Sequence, residues 1–247
     1  MTVFVCIDDT DSLESRGTGE LAGLLALEVE KRGWGRCGSI TRHQLFVHPD
    51  IPYTSHNSSM CFNVSMPEEH LGALTEFAAD FLAGESAEGS DPGLCIAASE
   101  RMRQPDLLVE FGYRAKRAVI EMKDAFELAS ETGVHLSCHG GTGQGVIGAL
   151  AGVGLRLGGN DGRMRGSLEI PAVDGVARVK ELLEHPEVDA VRTMEGASPD
   201  LEDRVRLVDK VKTVLLGGKL VLLVTADNDP DGVVRWRSCT RQQLKAY

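Results

Sequence analysis

The chain reads as an α/β protein of the α+β type, on three observations. An apolar stretch at the N-terminus, Val3-Phe4-Val5-Cys6-Ile7, runs directly into a cluster of acids, Asp8-Asp9-Thr10-Asp11-Ser12. A strand–helix–strand pattern occurs twice, over 60–97 and again over 167–194. Between the two lies a glycine-rich run, 138–150, that opens a helix. Two split βαβ stretches packed together make a ferredoxin-like domain, so segments far apart in the chain are expected to pair with one another.

The elements follow from periodicity. Residues 3–7 are continuously apolar, as in a strand buried on both faces. Residues 18–32 place Leu21, Leu24, Leu25 and Val29 on one helical face, and Gly33 stops the helix. Residues 39–47 read as a strand, 48–52 as a turn and 53–59 as a polar loop. The first repeat is a strand at 60–64, a helix at 67–82 with Leu71, Leu74, Phe77, Ala78 and Phe81 on one face, and a strand at 94–97. A helix over 115–131 precedes the glycine run, and another over 146–157 follows it. The second repeat is a strand at 167–170, a helix at 173–183 and a strand at 188–194. Val214-Leu215-Leu216, the pair Gly217-Gly218 and residues 220–224 spell a hairpin. Asp227-Asn228-Asp229-Pro230-Asp231-Gly232 lacks the closing Glu of a calcium loop and reads as a turn.

With 247 residues, 42% of them hydrophobic and 26% charged, the chain can build a sizeable core in one large domain or two small ones. A net charge of −11 argues against broad contact with a nucleic-acid backbone, which takes clustered Lys and Arg. No apolar run is long enough to span a bilayer, and no basic stretch precedes the N-terminal strand. The expected location is cytoplasmic, with no membrane partner. The six cysteines, at 6, 37, 61, 95, 138 and 239, form no C-x-x-C pair and are expected to be reduced core residues. Cys138, beside His139 and the glycine run, has the most reactive setting, though a structural role is expected there too.

The chemistry concentrates in four places. Asp8, Asp9 and Asp11 stand at the carboxyl end of a strand, where ligands of open α/β sheets gather. Ionised groups cannot be buried unpaired, so these acids are expected to face water, a cation or a cationic partner. Hard oxygen ligands there suit Mg²⁺ completed by a phosphorylated substrate; the plainer reading is an acidic turn. Gly143-Gln144-Gly145-Val146-Ile147-Gly148 fits G-x-G-x-x-G ahead of a helix, whose free N–H groups attract phosphate. No Lys-Ser or Lys-Thr follows, which excludes a Walker A loop, and a Rossmann site lacks its strand and acid. Close helix packing is the plainer use of these glycines. The loop from Tyr53 through Asn57 to Ser59 is dense in hydroxyl and amide groups that suit phosphate oxygens. Asp161 is expected either as a further cation ligand, with Arg163 and Arg165 steadying phosphates, or as part of a plain Asp-Gly turn. His43, His56 and His139 adjoin these loops without metal-ligand spacing.

Together these segments resemble the archaeal 2-agmatinylcytidine synthetase family, which modifies an isoleucine tRNA. The matching residues are Ile7-Asp8-Asp9-Thr10-Asp11-Ser12, Gly17-Thr18 before Leu21-Ala22, Ile51-Pro52-Tyr53 with Asn57 beyond, and the run from Gly143 to Ala151 with Asp161 after it. The resemblance implies a kinase-like ATP-binding domain beside a ferredoxin-like domain. It implies residues 1–59 with 112–165 for the first, 60–111 with 166–196 for the second, and a β-rich extension over 197–247. It implies that Asp8, Asp9 and Asp11 hold Mg²⁺ and the ATP phosphates, with Asp161 as a further metal ligand. Thr18 would stand near the transferred phosphate, and Asn57, Ser58, Gly141, Gly143 and Gly145 would contact the nucleotide. Where the family carries a Lys and an Arg after Ile-Pro-Tyr, this chain has Thr54, Ser55 and His56. The family's OB-like and zinc-ribbon domains, which grip tRNA, are expected to have no counterpart here.

The expected function is therefore an ATP- and Mg²⁺-dependent enzyme, ligase-like or kinase-like, that activates an oxygen by phosphoryl transfer. A small-molecule acceptor is expected in place of an extended nucleic acid. Substituting Asp8 is expected to spare the fold. The alternative is a non-catalytic nucleotide-binding or ligand-sensing module, with a dinucleotide oxidoreductase a distant third. Sheet edges of a ferredoxin-like domain would also suit a homodimer.

Overall fold

A computed structural model describes residues 1–51, 57–208, 210–229 and 232–247. The chain is a mixed α/β protein in two units, Met1–Gly158 and Gly159–Tyr247.

The first unit is organised around β1 (Thr2–Asp8). It is followed by α1 (Thr18–Lys31), β2 (Arg36–Cys37), β3 (Thr41–Gln44), β4 (Ser58–Ser65), α2 (Leu71–Glu85) and β5 (Gly93–Ala98). Then come α3 (Pro105–Ala115), α4 (Met122–Thr132), β6 (His135–Cys138) and α5 (Gly145–Gly158). The strands lie in the order β6-β5-β1-β4-β3, with β2 also on β4. β1 is antiparallel to both neighbours, with Cys6 opposite Cys61 of β4 and Cys95 of β5. Both of its faces are covered, which is why its sequence is apolar throughout. Val3, Val5 and Ile7 pack with α1 and α2. Cys6 packs on the other face with Cys61, Cys95 and helices α3, α4 and α5. The period of two then places Asp8 on the face that α5 covers.

The strands of the first strand–helix–strand stretch pair within their own unit. β4 and β5 both pair with β1, inside the first unit. The stretch 166–196 belongs to the second unit. The physical reason is that β1 offers an apolar surface on both faces and a free edge on both sides. The helix expected over 115–131 forms as α4, starting only at Met122, and α3 before it ends at Ala115. Pro105, at the first position of α3, pre-sets its start.

In the second unit, β7 (Arg163–Met164), β8 (Val176–Arg178), α6 (Val179–Leu182), β9 (Ala190–Thr193) and β10 (Arg204–Arg206) precede β11 (Thr213–Leu216), β12 (Lys219–Ala226) and β13 (Trp236–Ser238). The strand order is β7-β11-β12-β13-β10-β8, with β9 parallel to β12. The helix expected over 173–183 shrinks to α6, because Gly175 turns the chain and 176–178 pairs with β10. The expected strand over 167–170 does not form. The expected hairpin forms from β11 and β12, with Leu216 opposite Lys219. Gly217 and Gly218 both have positive φ, as a two-residue type I′ turn demands. The carboxylates of Asp227 and Asp229 are taken up by Arg206, at 2.9 and 3.4 Å, as in a structural turn.

Helix α5 packs closely against α3. A Cβ on Gly154 would stand 1.8 Å from the Leu108 carbonyl oxygen, and one on Gly112 would stand 2.9 Å from that of Ala151. Gly154→Ala should therefore lower the unfolding free energy by about 1–3 kcal/mol, the cost of overfilling a close contact. A urea titration followed by circular dichroism checks this; an unchanged midpoint would show that the helices are free to separate.

Candidate functional site

The acids and the glycine run converge within the first unit. Register explains the approach. Asp8 ends β1 opposite Gly93, the first residue of β5, and Gly93 pairs in turn with Cys138 at the end of β6. The start of α5 rests on this corner. A Cβ on Gly93 would stand 2.1 Å from the carbonyl carbon of Gly145. One on Gly145 would stand 2.1 Å from the Asp91 carbonyl oxygen and 3.2 Å from that of Asp8. One turn on, a Cβ on Gly148 would fall 1.6 Å from Asp8 Oδ2. A further turn on, Gly152 leaves room for Cys6 Sγ and Ser59 Oγ, 2.4 and 2.5 Å from its would-be Cβ. The glycines thus serve both readings of the sequence: they let α5 pack closely, and they bring its first turn to the acids.

The aspartates are not alike. Asp8 is only 7% exposed, whereas Asp9 and Asp11 are half-buried. Burial pushes its carboxyl up to about 8, with the charges of Asp9 and Asp11 adding to the rise. The carboxyl meets the cost of burial by holding its proton. Asp9 has φ 51°, a left-handed conformation that Asp tolerates better than most residues. Burial, then Asp91, then Asp11 raise it to about 6. Asp11 Oδ2 accepts the N–H of Thr18 at 3.4 Å, at the start of α1, where the helix favours negative charge. Thr18 itself is buried.

Asp91 is not legible in the sequence as a site residue. It sits in the turn Ser90-Asp91-Pro92-Gly93, an ordinary turn composition. Its Oδ1 accepts the N–H groups of Thr142 and of Gly143, the latter at 3.3 Å, and its Oδ2 accepts the Thr142 hydroxyl at 2.8 Å. Two amides of the glycine loop therefore already hold an internal carboxylate. A Cβ on Gly141, at φ 53°, would collide with the same carboxylate. Asp91 does not engage the amides of Gln144 and Gly145, at the start of α5. The one advance signal for Asp91 is its position just ahead of a strand that could pair with β1.

Among the described residues, Asp8, Asp9 and Asp91 form no ion pair with a basic side chain. Two buried hydroxyls of the same unit, Thr10 Oγ1 and Ser59 Oγ, lack hydrogen-bond partners. Unpaired acids and unsatisfied hydroxyls suit a cation and a polar ligand. No three His, Cys, Asp or Glu side chains among the described residues converge as a closed metal cage.

The remaining expected residues are placed as follows. Asn57 Nδ2 donates to the Phe46 carbonyl at 2.6 Å, and Ser58 Oγ accepts from Arg42 Nε at 2.9 Å; both fix the β3–β4 connection. Tyr53 to His56 lie outside the described residues. Asp161 and Arg163 are buried in the second unit, and Arg165 is exposed. His43 is buried, with Nε2 2.8 Å from Thr41 Oγ1; His139 Nε2 lies 2.8 Å from Ser137 Oγ. All six cysteines are free, with Cys6, Cys61, Cys95 and Cys239 buried and Cys138 exposed.

The Asp8 carboxyl has a sign-definite effect on stability. Its folded value, about 8, lies above its ordinary 3.8. Its contribution is fully present below about pH 4 and is lost as pH rises through 8. In chelator-treated protein, Asp8→Asn should raise the melting temperature at pH 8 and leave it unchanged at pH 4. A lower melting temperature at pH 8 would mean that the ionised carboxylate is stabilised in place. Asp91→Asn should speed hydrogen exchange at the Thr142 and Gly143 amides, measured by NMR; unchanged protection there would remove Asp91 as the clamp of the loop.

No family model matches the chain. The chain is similar to TiaS of Methanosarcina acetivorans, a 2-agmatinylcytidine synthetase named for an isoleucine tRNA; the two are 32% identical over 161 residues, which cover 63% of this chain and 36% of that protein. Its fold is similar to the crystal structure of apo TiaS, with TM-score 0.54 and 29% identity over 62% of this chain and 35% of the other. A crystal structure of TiaS in complex with its isoleucine tRNA and ATP shares the fold over 82% of this chain and 50% of the other, with TM-score 0.57 and 24% identity. The chain thus spans about a third of the length of the curated relatives it matches, and it resembles the N-terminal portion of the 2-agmatinylcytidine synthetases.

Proposed function

We propose that the chain is an ATP- and Mg²⁺-dependent enzyme that activates an oxygen of its acceptor by phosphoryl transfer. The observation that carries this reading is the meeting of Asp8, Asp9 and Asp91 with the first turn of α5 at one corner of the first unit. Unpaired acids face a helix start whose amides favour phosphate. Similarity to a synthetase that has been crystallised with ATP supports the same cofactor.

The residues present fit Mg²⁺. This ion is usually held by one or two carboxylates, with phosphate oxygens and water completing its shell. An open arrangement of Asp8 and Asp9 without a third side-chain ligand is what such a site requires. Bound there, the ion would neutralise phosphate charge during displacement. Asp8 and Asp9 would hold it as carboxylates, giving up the protons that burial and mutual repulsion retain. Asp11 and Thr18, joined at the start of α1, would border the transferred phosphate. Gln144 and Gly145 would donate their amides to phosphate oxygens, while Asp91 holds the loop in shape. We read β5-β1-β4-β3, with α1 and α2 crossing between strands, as the ferredoxin-like part, and the glycine loop with α5 as the nucleotide-binding part.

The acceptor follows from two opposed observations. Net charge −11 disfavours an extended nucleic acid, whereas the relatives are named for acting on a tRNA. An RNA base therefore stands beside small hydroxyl compounds among the acceptors to assay. Among the described residues no helix is long and apolar enough to cross a membrane.

The test is ATP consumption with Mg²⁺ across both acceptor classes. Asp8→Asn and Asp9→Asn should each lower turnover by about a hundredfold or more, the scale lost with single groups that stabilise transferring charge. Normal turnover in both variants would reduce the acid cluster to a turn. Tight Mg·ATP binding without turnover for any acceptor would favour the nucleotide-sensing module.

A further inference from the structure

On the face of the first unit's sheet opposite the acid corner, two imidazoles meet at one point. His135 Nε2 lies 2.9 Å from Ser137 Oγ, and His139 Nε2 lies 2.8 Å from the same oxygen. A serine hydroxyl carries a single proton. It donates that proton to one ring and accepts an N–H from the other, so both Nε2 atoms are aimed at one position. Residues four apart on a strand are separated by about 13 Å of backbone, and nothing in the spacing of these histidines announces that their rings converge. The side chains close the gap by leaning toward the residue between them.

The strand fixes the arrangement. β6 is the edge of its sheet, and His135 and Ser137 stand opposite Ile96 and Leu94 of β5. Directly opposed residues share a face of a sheet. Leu94 and Ile96 pack with Leu74, Ala78 and Leu82 of α2, whereas the Asp8 carboxyl lies against α5 on the other side. One residue beyond β6, the His139 N–H donates to the Pro92 carbonyl at 2.8 Å and carries the pairing past Cys138. Ser137 and His139 are half-buried and His135 is exposed. Burial holds both rings below their usual value; for His139 the charge of His135 adds to the fall and Asp80 opposes it. Neutral imidazoles are the form that binds metal. Among the described residues neither ring makes a second side-chain hydrogen bond.

We propose that His135 and His139 together bind one divalent transition-metal ion of the Zn²⁺ type, held between their Nε2 atoms beside the Ser137 hydroxyl. Imidazole nitrogen suits Zn²⁺, Ni²⁺ and Cu²⁺, whereas Mg²⁺ takes oxygen. A zinc–nitrogen bond is about 2 Å long, so each ring already points at the position and has only to draw in slightly. The exposed strand edge leaves the other coordination positions to water, as in an open, exchangeable site. This agrees with the absence, among the described residues, of three His, Cys, Asp or Glu side chains grouped around a metal. The inference uses no residue of the acid corner and does not rest on the nucleotide reading.

The test titrates Zn²⁺ into the full chain by calorimetry in excess Mg²⁺, which occupies oxygen ligands and leaves imidazole free. One equivalent should bind. His135→Ala and His139→Ala should each weaken that binding at least tenfold, and Cys138→Ser, on the other face of β6, should leave it unchanged. In the wild-type chain, the imidazole NMR signals of His135 and His139 should shift together at one equivalent of Zn²⁺, a readout that needs no variant. If either single alanine variant binds Zn²⁺ as wild type does, if Cys138→Ser abolishes binding, or if only one of the two rings responds, the chain shows adventitious surface binding only and the paired site does not exist.

Discussion

The contact on which the rest depends is the Asp8 carboxyl lying against the backbone of α5 at Gly148. Any side chain at that position would displace one partner or the other. The strand brings the acid to the corner, and the missing side chains of Gly145, Gly148 and Gly152 let the helix settle over it. Packing and site chemistry are therefore one arrangement. The glycines that allow α5 to lie flat on β1, β4 and β5 also bring a helix start to a strand end.

That arrangement stores electrostatic tension. Burial and the neighbouring acids push Asp8 up to about 8 and Asp9 up to about 6. A cation relieves the repulsion directly, and its binding would release protons. Asp91 plays the opposite part. It uses its charge on the amides of Thr142 and Gly143, so the glycine loop is shaped by an internal anion before any ligand arrives. Pre-shaping of this kind lowers the ordering cost of binding.

Much of this is legible in the chain. The apolar run 3–7 ending in acids marks β1, and the glycines mark the helix that meets it. The pair Gly217-Gly218 marks a hairpin. What escapes the sequence is long-range. Which strands complete 60–64 and 94–97 depends on β1 having two apolar faces and two open edges. Asp91 looks like turn punctuation because its role depends on a loop some fifty residues onward. The burial of Asp8 escapes because the rule that charges avoid the interior assumes the charge is kept; Asp8 instead keeps its proton. Asn57 and Ser58 have the polar groups a ligand would want, and those groups close the β3–β4 connection.

The central claim is that the N-terminal acids and the first turn of α5 hold one metal–nucleotide complex between them. Paramagnetic broadening by Mn²⁺ with ATP, read residue by residue in the NMR spectrum, tests it most directly. The account predicts that the amides of Asp8, Asp9, Thr10, Gln144 and Gly145 broaden together and only when both metal and nucleotide are present. Broadening confined to one of these segments, or centred elsewhere in the chain, would contradict it.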